Sequence, residues 1–344
     1  MNNNKLKLNA LYSGAGIIVT YKCSAACLHC CYSSSPERSG EYMTKQTADK
    51  IFALLKKMGC NSVHIGGGEP FMNFDKLLEV CKSALEHNIS VDYIETNASW
   101  YIDIDTDDDS YDGDVISEKL KKLIETGINC LLISVDPFHN EFVPYIKIKN
   151  LVKRCRENNM ETFIWQSGFE RIVKQLDENK THTLLEYENL YGKDFIKTIA
   201  QSYGLNYNGR ALRILEKTSK NKKSCEDILK ESGVSCGEKI KSLSHFHVDL
   251  YENLIPPSCN GFNANIFELC GGGLDYDKYI NFMSVVNGGL ESLFKRADSL
   301  GFIPNSDGYT SKCALCFDIK KYISKINPKI KPADIGPLEF FEKS

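Results

Sequence analysis

The chain has 344 residues, enough for one large α/β domain with a smaller appendage or for two ordinary domains, so a core can form without covalent staples. Its 42 Lys and Arg face 45 Asp and Glu, a net charge of -3, which excludes the basic footprint of a nucleic-acid binder or of a protein drawn to anionic membranes. The N-terminal "MNNNKLKLNALYSGAG" has no apolar signal core, and no stretch is apolar for long enough to span a bilayer, so a cytoplasmic protein with no nucleic-acid and no membrane partner is expected.

Short β-branched or apolar runs alternate with amphipathic patterns through the first two thirds. "GIIVTY" (16–21) reads as a buried strand, "TKQTADKIFALLKKMG" (44–59) as a helix ended by Gly59, and "NSVHIGG" (61–67) as the next strand. The rhythm repeats with helix "NFDKLLEVCKSALEHN", strand "ISVDYIETN", helix "VISEKLKKLIETG", strand "INCLLISVD", helix "KIKNLVKRCRENN" and strand "METFIWQ". A less regular helical stretch near 183–201 precedes a sixth expected strand, "GRALRIL" (209–215). Such alternation predicts parallel strands with right-handed helical crossovers. The acidic run "DIDTDDDSYDGD" (103–114) reads as a solvated loop, since a calcium loop wants spaced ligands and a distal Glu. From about Ser219 a Lys- and Ser-rich linker, "SKNKKSCEDILKESGVSC", leads into hairpin-like and irregular sequence. The expected domains are therefore 1–218 and 219–344.

The 14 cysteines are the strongest chemical signal. In a reducing compartment clustered thiols point to metal or redox chemistry, and scattered ones (Cys60, Cys81, Cys130, Cys155) to small core residues. Cys23, Cys27 and Cys30 form C-x3-C-x2-C just after the first strand. Three thiolates on one tight loop suit a four-iron cluster with one iron left open. A structural zinc would need a fourth ligand, from His29 or Cys31. The second strand runs into "GGGEP", Gly66 to Pro70.

With both motifs at the ends of successive strands, the chain resembles the radical S-adenosylmethionine superfamily. The resemblance implies a partial (β/α)6 TIM-like barrel, an α/β fold, with a 4Fe-4S cluster on Cys23, Cys27 and Cys30. S-adenosylmethionine would bind the open iron through its amino and carboxylate groups. Reductive cleavage would then yield a 5′-deoxyadenosyl radical that abstracts hydrogen from substrate. Gly66, Gly67 and Gly68 would let the backbone approach the cofactor's methionyl end, with Glu69 in the same motif and Pro70 fixing the following turn. His29 stands where the family usually has an aromatic residue and is expected near the adenine. Cys31 is surplus to the cubane and is expected to pack away from it.

Side chains at the C-terminal ends of barrel strands converge on the active site. "ETN" closes the third strand and "SVDPFH" the fourth. The resemblance places cofactor contacts there, which makes Glu95, Asn97, Ser134 and Asp136 candidates. Asn97 and Asp136 suit cap or turn roles equally well. His139 reads as a structural histidine. Arg210 is expected to start the sixth strand, where family members often place an arginine near the cofactor.

Thiols cluster again near the C-terminus: Cys225, Cys236, Cys259, Cys270, then Cys313 and Cys316 as "SKCALCFD". C-x2-C with distant cysteines is metal-site spacing, for zinc or iron–sulfur. "HFHVDLYENLIPPSC" reads as a hairpin turning at Tyr251 to Asn253, with Glu252 or Asn253 in place of a turn glycine. This is similar to the SPASM and twitch extensions of the family, a small Cys-rich auxiliary domain. An auxiliary 4Fe-4S cluster is expected on Cys236, Cys259, Cys313 and Cys316, with Cys270 as an alternative ligand and zinc as the alternative metal. His245 and His247 share a strand face and are expected to be ordinary hairpin residues, with an approach to the auxiliary site as the alternative.

No catalytic side chain is assigned. Auxiliary-cluster members often crosslink, epimerise or oxidise a residue of a peptide or protein, so a peptide substrate is the leading expectation. A small-molecule substrate (dehydrogenation, dehydration or epimerisation of a sugar or cofactor precursor) is the alternative, and a non-catalytic iron–sulfur or zinc protein the third reading. A flavodoxin or ferredoxin-type electron donor is implied. Only about 22 residues precede Cys23, too few for a leader-binding domain there, so a peptide substrate is expected to need another recognition surface or a separate leader-peptide-binding protein.

Overall fold

The structure is a computed structural model describing residues 6, 14–102, 115–219, 221–242, 245–326 and 334–342. The acidic run at 103–114 lies outside the described residues. The chain divides into two compact units: residues 14–27 with 34–199, and residues 1–13, 28–33 and 200–344.

The first unit contains β1 (Ala15–Ile18), α1 (Lys45–Lys57), β2 (Ser62–Gly66), α2 (Phe74–Glu86), β3 (Ser90–Thr96), α3 (Val115–Glu125), β4 (Cys130–Ser134), α4 (Pro137–Asn140), α5 (Tyr145–Glu157), β5 (Glu161–Trp165), α6 (Ser167–Val173) and α7 (Leu184–Tyr191). β1 pairs with β2, β2 with β3, β3 with β4 and β4 with β5, all parallel. The α/β reading with a mostly parallel sheet therefore holds, and each of the first five expected strands forms where its apolar run lies.

One sheet face is core. Ile17, Ile65, Ile94 and Leu131 stand in one row across four strands and each is 0% exposed. The crossover helices supply the facing apolar stripes. In α1, Ala48, Ile51, Phe52 and Leu55 recur at helical spacing and are all buried. Burial of each larger one contributes roughly 1.5–3 kcal/mol. Thr44 starts the helix by accepting the Thr47 amide, and Asn73 starts α2 by accepting the Lys76 amide at 3.2 Å.

α8 (Phe195–Tyr203) runs to the boundary between the units. The second unit continues with α9 (Leu212–Thr218), α10 (Cys225–Ser232), α11 (Ser235–Ser242), β6 (Phe246–Asp249), β7 (Leu254–Ile255), α12 (Ile266–Cys270), α13 (Ile280–Ser299), α14 (Lys312–Ile326) and α15 (Glu339–Glu342). β6 and β7 form the expected antiparallel hairpin, and Glu252 takes the positive φ of 64° that a turn glycine would ordinarily supply.

Two expectations are corrected here. The sixth strand at 209–215 is a short 3-10 turn, Gly209–Ala211, followed by α9. The run "ALRILEKT" is made of good helix formers, and a short apolar run does not by itself separate strand from helix. Five parallel strands, not six, therefore form the sheet of the first unit among the described residues. The Lys- and Ser-rich stretch after Ser219 is not a linker: it folds as α10 and α11, with Ser224 capping α10 by accepting the Asp227 amide at 3.1 Å.

Candidate functional site

The glycine turn after β2 is zipped onto the thiol loop after β1. Val19 N–H donates to Gly66 O at 3.1 Å, Gly68 N–H to Thr20 O at 2.8 Å, and Glu69 N–H to Lys22 O at 2.9 Å. A Cβ on Gly68 would sit 2.0 Å from the Lys22 carbonyl oxygen, and one on Gly67, at φ +138°, 2.5 Å from that of Thr20. Close packing against the thiol loop is thus sufficient reason for glycine at both positions. A Cβ on Gly66 would meet Glu95 Oε2 at 2.9 Å, which places Gly66 and Glu95 on the same face of the sheet.

Glu69 is fully buried and holds the turn. Its Oε1 accepts Phe71 N–H at 3.1 Å and the Thr96 hydroxyl at 2.9 Å, and its Oε2 accepts Asn97 N–H at 2.8 Å. Burial pushes its carboxyl up to about 7, against the pull of those donors. Pro70 opens a 3-10 turn, Pro70–Asn73, and its carbonyl accepts the Tyr42 hydroxyl at 2.9 Å. Phe71 stacks on Trp100 with centroids 4.1 Å apart.

Cys23 and Cys27 are buried, 7% and 6% exposed. Asn97 donates from Nδ2 to Cys23 Sγ at 3.5 Å and to Ser24 Oγ at 3.2 Å, which ties the end of β3 to the first thiol. Thr96 and Asn97 together tie the end of β3 to Glu69 and to the thiol loop; Asn97 was a sequence candidate and Thr96 was not. The third thiol, Cys30, is half-buried and lies in the segment 28–33 of the second unit. That segment is anchored there by Asn260 Nδ2 donating to Cys31 O at 2.7 Å and by Arg210 N–H donating to Ser33 Oγ at 3.1 Å. His29 packs edge-on against Tyr203 at 5.2 Å. Arg210 is buried in the 3-10 turn, not at a strand start.

At the end of β4, Ser134 is half-buried and Asp136 caps α4. Asp136 Oδ1 accepts Phe138 N–H at 2.8 Å and His139 N–H at 3.0 Å, while Oδ2 lies 2.6 Å from His139 Nδ1. The cap and an oriented imidazole are thus one arrangement. Half-exposed Glu95 places Oε1 3.7 Å from His64 Nε2, and His64 stacks on Tyr93. Register carries this face onward: Glu95 aligns with Leu132, Leu132 with Phe163, and Ser134 with Trp165. Phe163 and Trp165 are 52% and 43% exposed, so the face opens toward solvent at β5.

The second unit gathers Cys236 of α11, Cys259 and the α14 pair Cys313 and Cys316 around one cavity of about 90 Å3. Cys313 and Cys316 are three apart and share a helix face. Cys259 follows Ser258, at φ 54°, in a turn closed by its N–H on Pro256 O at 3.1 Å. Burial pushes the Cys259 and Cys313 thiols up and that of Cys316 up to about 12, with the Lys320 ammonium opposing each shift. Lys320 lines the same cavity and was missed from sequence, although it sits four residues after Cys316 on the helix. Cys270 ends α12 and does not line the cavity. His247 packs edge-on against His245 at 5.0 Å and against Tyr32 at 5.9 Å.

The first unit is thus a parallel α/β sheet with a buried-thiol loop and a glycine–glutamate turn locked together at its strand ends. Residues 17–166 match the family model described as Radical SAM superfamily. It is similar to YydG of Bacillus subtilis (strain 168), a protein named for peptide biosynthesis, 24% identical over 136 residues, 40% of each chain. It is also similar to the mycofactocin maturase MftC of Mycobacterium ulcerans (strain Agy99), 39% identical over 75 residues, 22% of this chain and 20% of the relative. The chain thus spans less than half the length of these relatives. Among solved structures, native anSMEcpe with bound AdoMet aligns over 96% of this chain and 95% of its own, at 14% identity and a TM-score of 0.41. A domain of this family implies a 4Fe-4S cluster and S-adenosylmethionine. Among the described residues, no helix is long and apolar enough to cross a membrane.

Proposed function

We propose that the protein is a radical S-adenosylmethionine enzyme that modifies a residue of a peptide substrate, with a second, auxiliary 4Fe-4S cluster in its C-terminal unit. The observation that carries the reading is the locking of the glycine–glutamate turn to the thiol loop, within a domain that matches the superfamily. The donor set fits the group: two buried thiols, a third seven residues after the first, and an amide donor on Cys23 sulfur, the kind of hydrogen bond that tunes a cluster. When bound, cluster and cofactor supply a 5′-deoxyadenosyl radical that takes a hydrogen atom from substrate.

The chain's own residues would do the rest. Cys23, Cys27 and Cys30 hold the cluster, and Gly66 to Pro70 form the cofactor's rim. Glu69 fixes that rim without reaching out of it, because its carboxylate is already occupied by three donors. Ser134, Glu95 and the Asp136–His139 pair offer polar groups on the way to the β5 aromatics. The peptide assignment draws support from YydG and MftC, whose names speak of peptide biosynthesis and maturation.

For the auxiliary site, four thiols line one cavity, which is the ligand number a four-iron cubane takes, and zinc is the alternative metal for the same set. The test is anaerobic reconstitution followed by dithionite and S-adenosylmethionine. Formation of 5′-deoxyadenosine is expected; its absence from cluster-loaded protein overturns the enzyme reading.

A further inference from the structure

We propose that Lys320 is the fixed counter-charge of the four-thiol cavity, a positioning residue that sets the reduction potential of the cluster held there; this rests on the auxiliary-cluster reading above.

Lys320 is 2% exposed, one of the largest fully buried side chains of the protein. Its ammonium donates to the carbonyl of Asn260 and lies 4.6 Å from the centroid of the Phe262 ring. Both partners are neutral. None of the ion pairs among the described residues includes Lys320, although exposed lysines such as Lys223, Lys278 and Lys295 each meet a carboxylate. Taking an ammonium out of water carries a desolvation penalty, which a carbonyl and a ring offset only in part. A fold that retains this charge therefore points to an anion on its open side.

That side is the thiol cavity. Cys313, Cys316 and Lys320 stand at i, i+3 and i+7 of α14, one helix face, and all three line the cavity with Cys236 and Cys259. A cubane ligated by four thiolates is a net anion, and gaining an electron makes it more negative. A fixed cation beside it stabilises the reduced state more than the oxidised one and so raises the potential. The step adds one electron to the cluster, delivered by the external reductant, and moves no proton. Asn260 also donates to Cys31 O at 2.7 Å, so the residue that holds the Lys320 ammonium is itself fixed. Lys239 and Lys312 line the cavity too, but both are exposed, and solvent screens them.

The test uses the full chain carrying Cys23, Cys27 and Cys30→Ala, so that remaining iron reports the second site. Iron and sulfide are counted after anaerobic reconstitution, and the midpoint potential is read by redox titration followed by electron paramagnetic resonance. Lys320→Met is expected to shift the midpoint to more negative values, Lys320→Arg to hold it near the parent, and Lys239→Met to move it less than Lys320→Met. Loss of the cluster from Lys320→Met with retention in Lys320→Arg equally supports a charge requirement. A Lys320→Met protein with the parent's midpoint overturns the proposal, as does a Lys320→Arg protein as impaired as Lys320→Met, which would make residue 320 a packing residue. A parent that binds no iron overturns the auxiliary-cluster reading itself, a result distinct from an iron-loaded parent whose midpoint ignores residue 320.

Discussion

Glu69 Oε2 accepts the backbone amide of Asn97 at 2.8 Å, so one buried carboxylate couples the turn after β2 to the end of β3. Its ordinary value of 4.5 is raised to about 7 by burial. A carboxyl that binds its proton more tightly when folded favours the folded state most below pH 4.5, and that contribution is lost as pH rises through 7. Wild-type stability in urea is expected to fall by about 3 kcal/mol across this window from this group. Glu69→Gln should flatten the profile while lowering stability overall, since its single acceptor oxygen faces three donors. A profile as steep in the variant as in wild type would assign the slope to another group.

Gly68→Ala forces a Cβ to 2.0 Å from the Lys22 carbonyl, which is backbone and cannot swing aside. The thiol loop must then separate from the glycine turn, breaking the Gly68–Thr20 and Glu69–Lys22 hydrogen bonds. Destabilisation above about 3 kcal/mol is expected, with iron binding lost at the first site. Gly127→Ala is a strain-only control: it also has positive φ, but its Cβ meets nothing within 4 Å, so its loss should be smaller.

Asp136 combines a helix cap with an imidazole partner, and two substitutions separate the roles. Asn keeps an acceptor for the Phe138 and His139 amides, and His139 can present an unprotonated Nδ1 to the new amide, so Asp136→Asn should lose less than about 1 kcal/mol. Asp136→Ala removes both and should lose about 2 kcal/mol. Denaturant melts of the pair check this; equal losses would deny the cap its share.

Trp165 lies on the sheet face that carries Glu95 and Leu132 but is 43% exposed. If that open face receives substrate, Trp165→Ala should lower product formation about tenfold while leaving stability within about 0.5 kcal/mol and substrate-free 5′-deoxyadenosine formation unchanged. Loss of both activities together would instead place Trp165 with the cofactor.

How much of this the sequence disclosed differs between the two halves. The five parallel strands were legible because Ile17, Ile65, Ile94 and Leu131 sit in short β-branched or apolar stretches, some alternating with polar residues, that are bounded by helical patterns and turn residues. Cys23, Cys27, Cys30 and the glycine turn were legible because thiol spacing and glycine identity survive without coordinates. Arg210 was misread as a strand start, since "GRALRIL" fits a short strand and a helix equally. α13 was hidden because Gly288 and Gly289 interrupt its pattern, and Gly289 does leave helical geometry there, at φ 68°. Lys320 was invisible for a different reason: one lysine among many on a charged helix gives no sign that it is buried until the packing of Asn260 and Phe262 is known.

In the proposed enzyme two separate thiol sets hold two clusters. Iron and acid-labile sulfide in the reconstituted full chain test it most directly, beside variants with Cys23, Cys27 and Cys30→Ala and with Cys236, Cys259, Cys313 and Cys316→Ala. About eight irons per chain are expected in the wild type and about four in each variant. About four irons in the wild type, with none left once Cys23, Cys27 and Cys30 are replaced and zinc recovered in their stead, would contradict it.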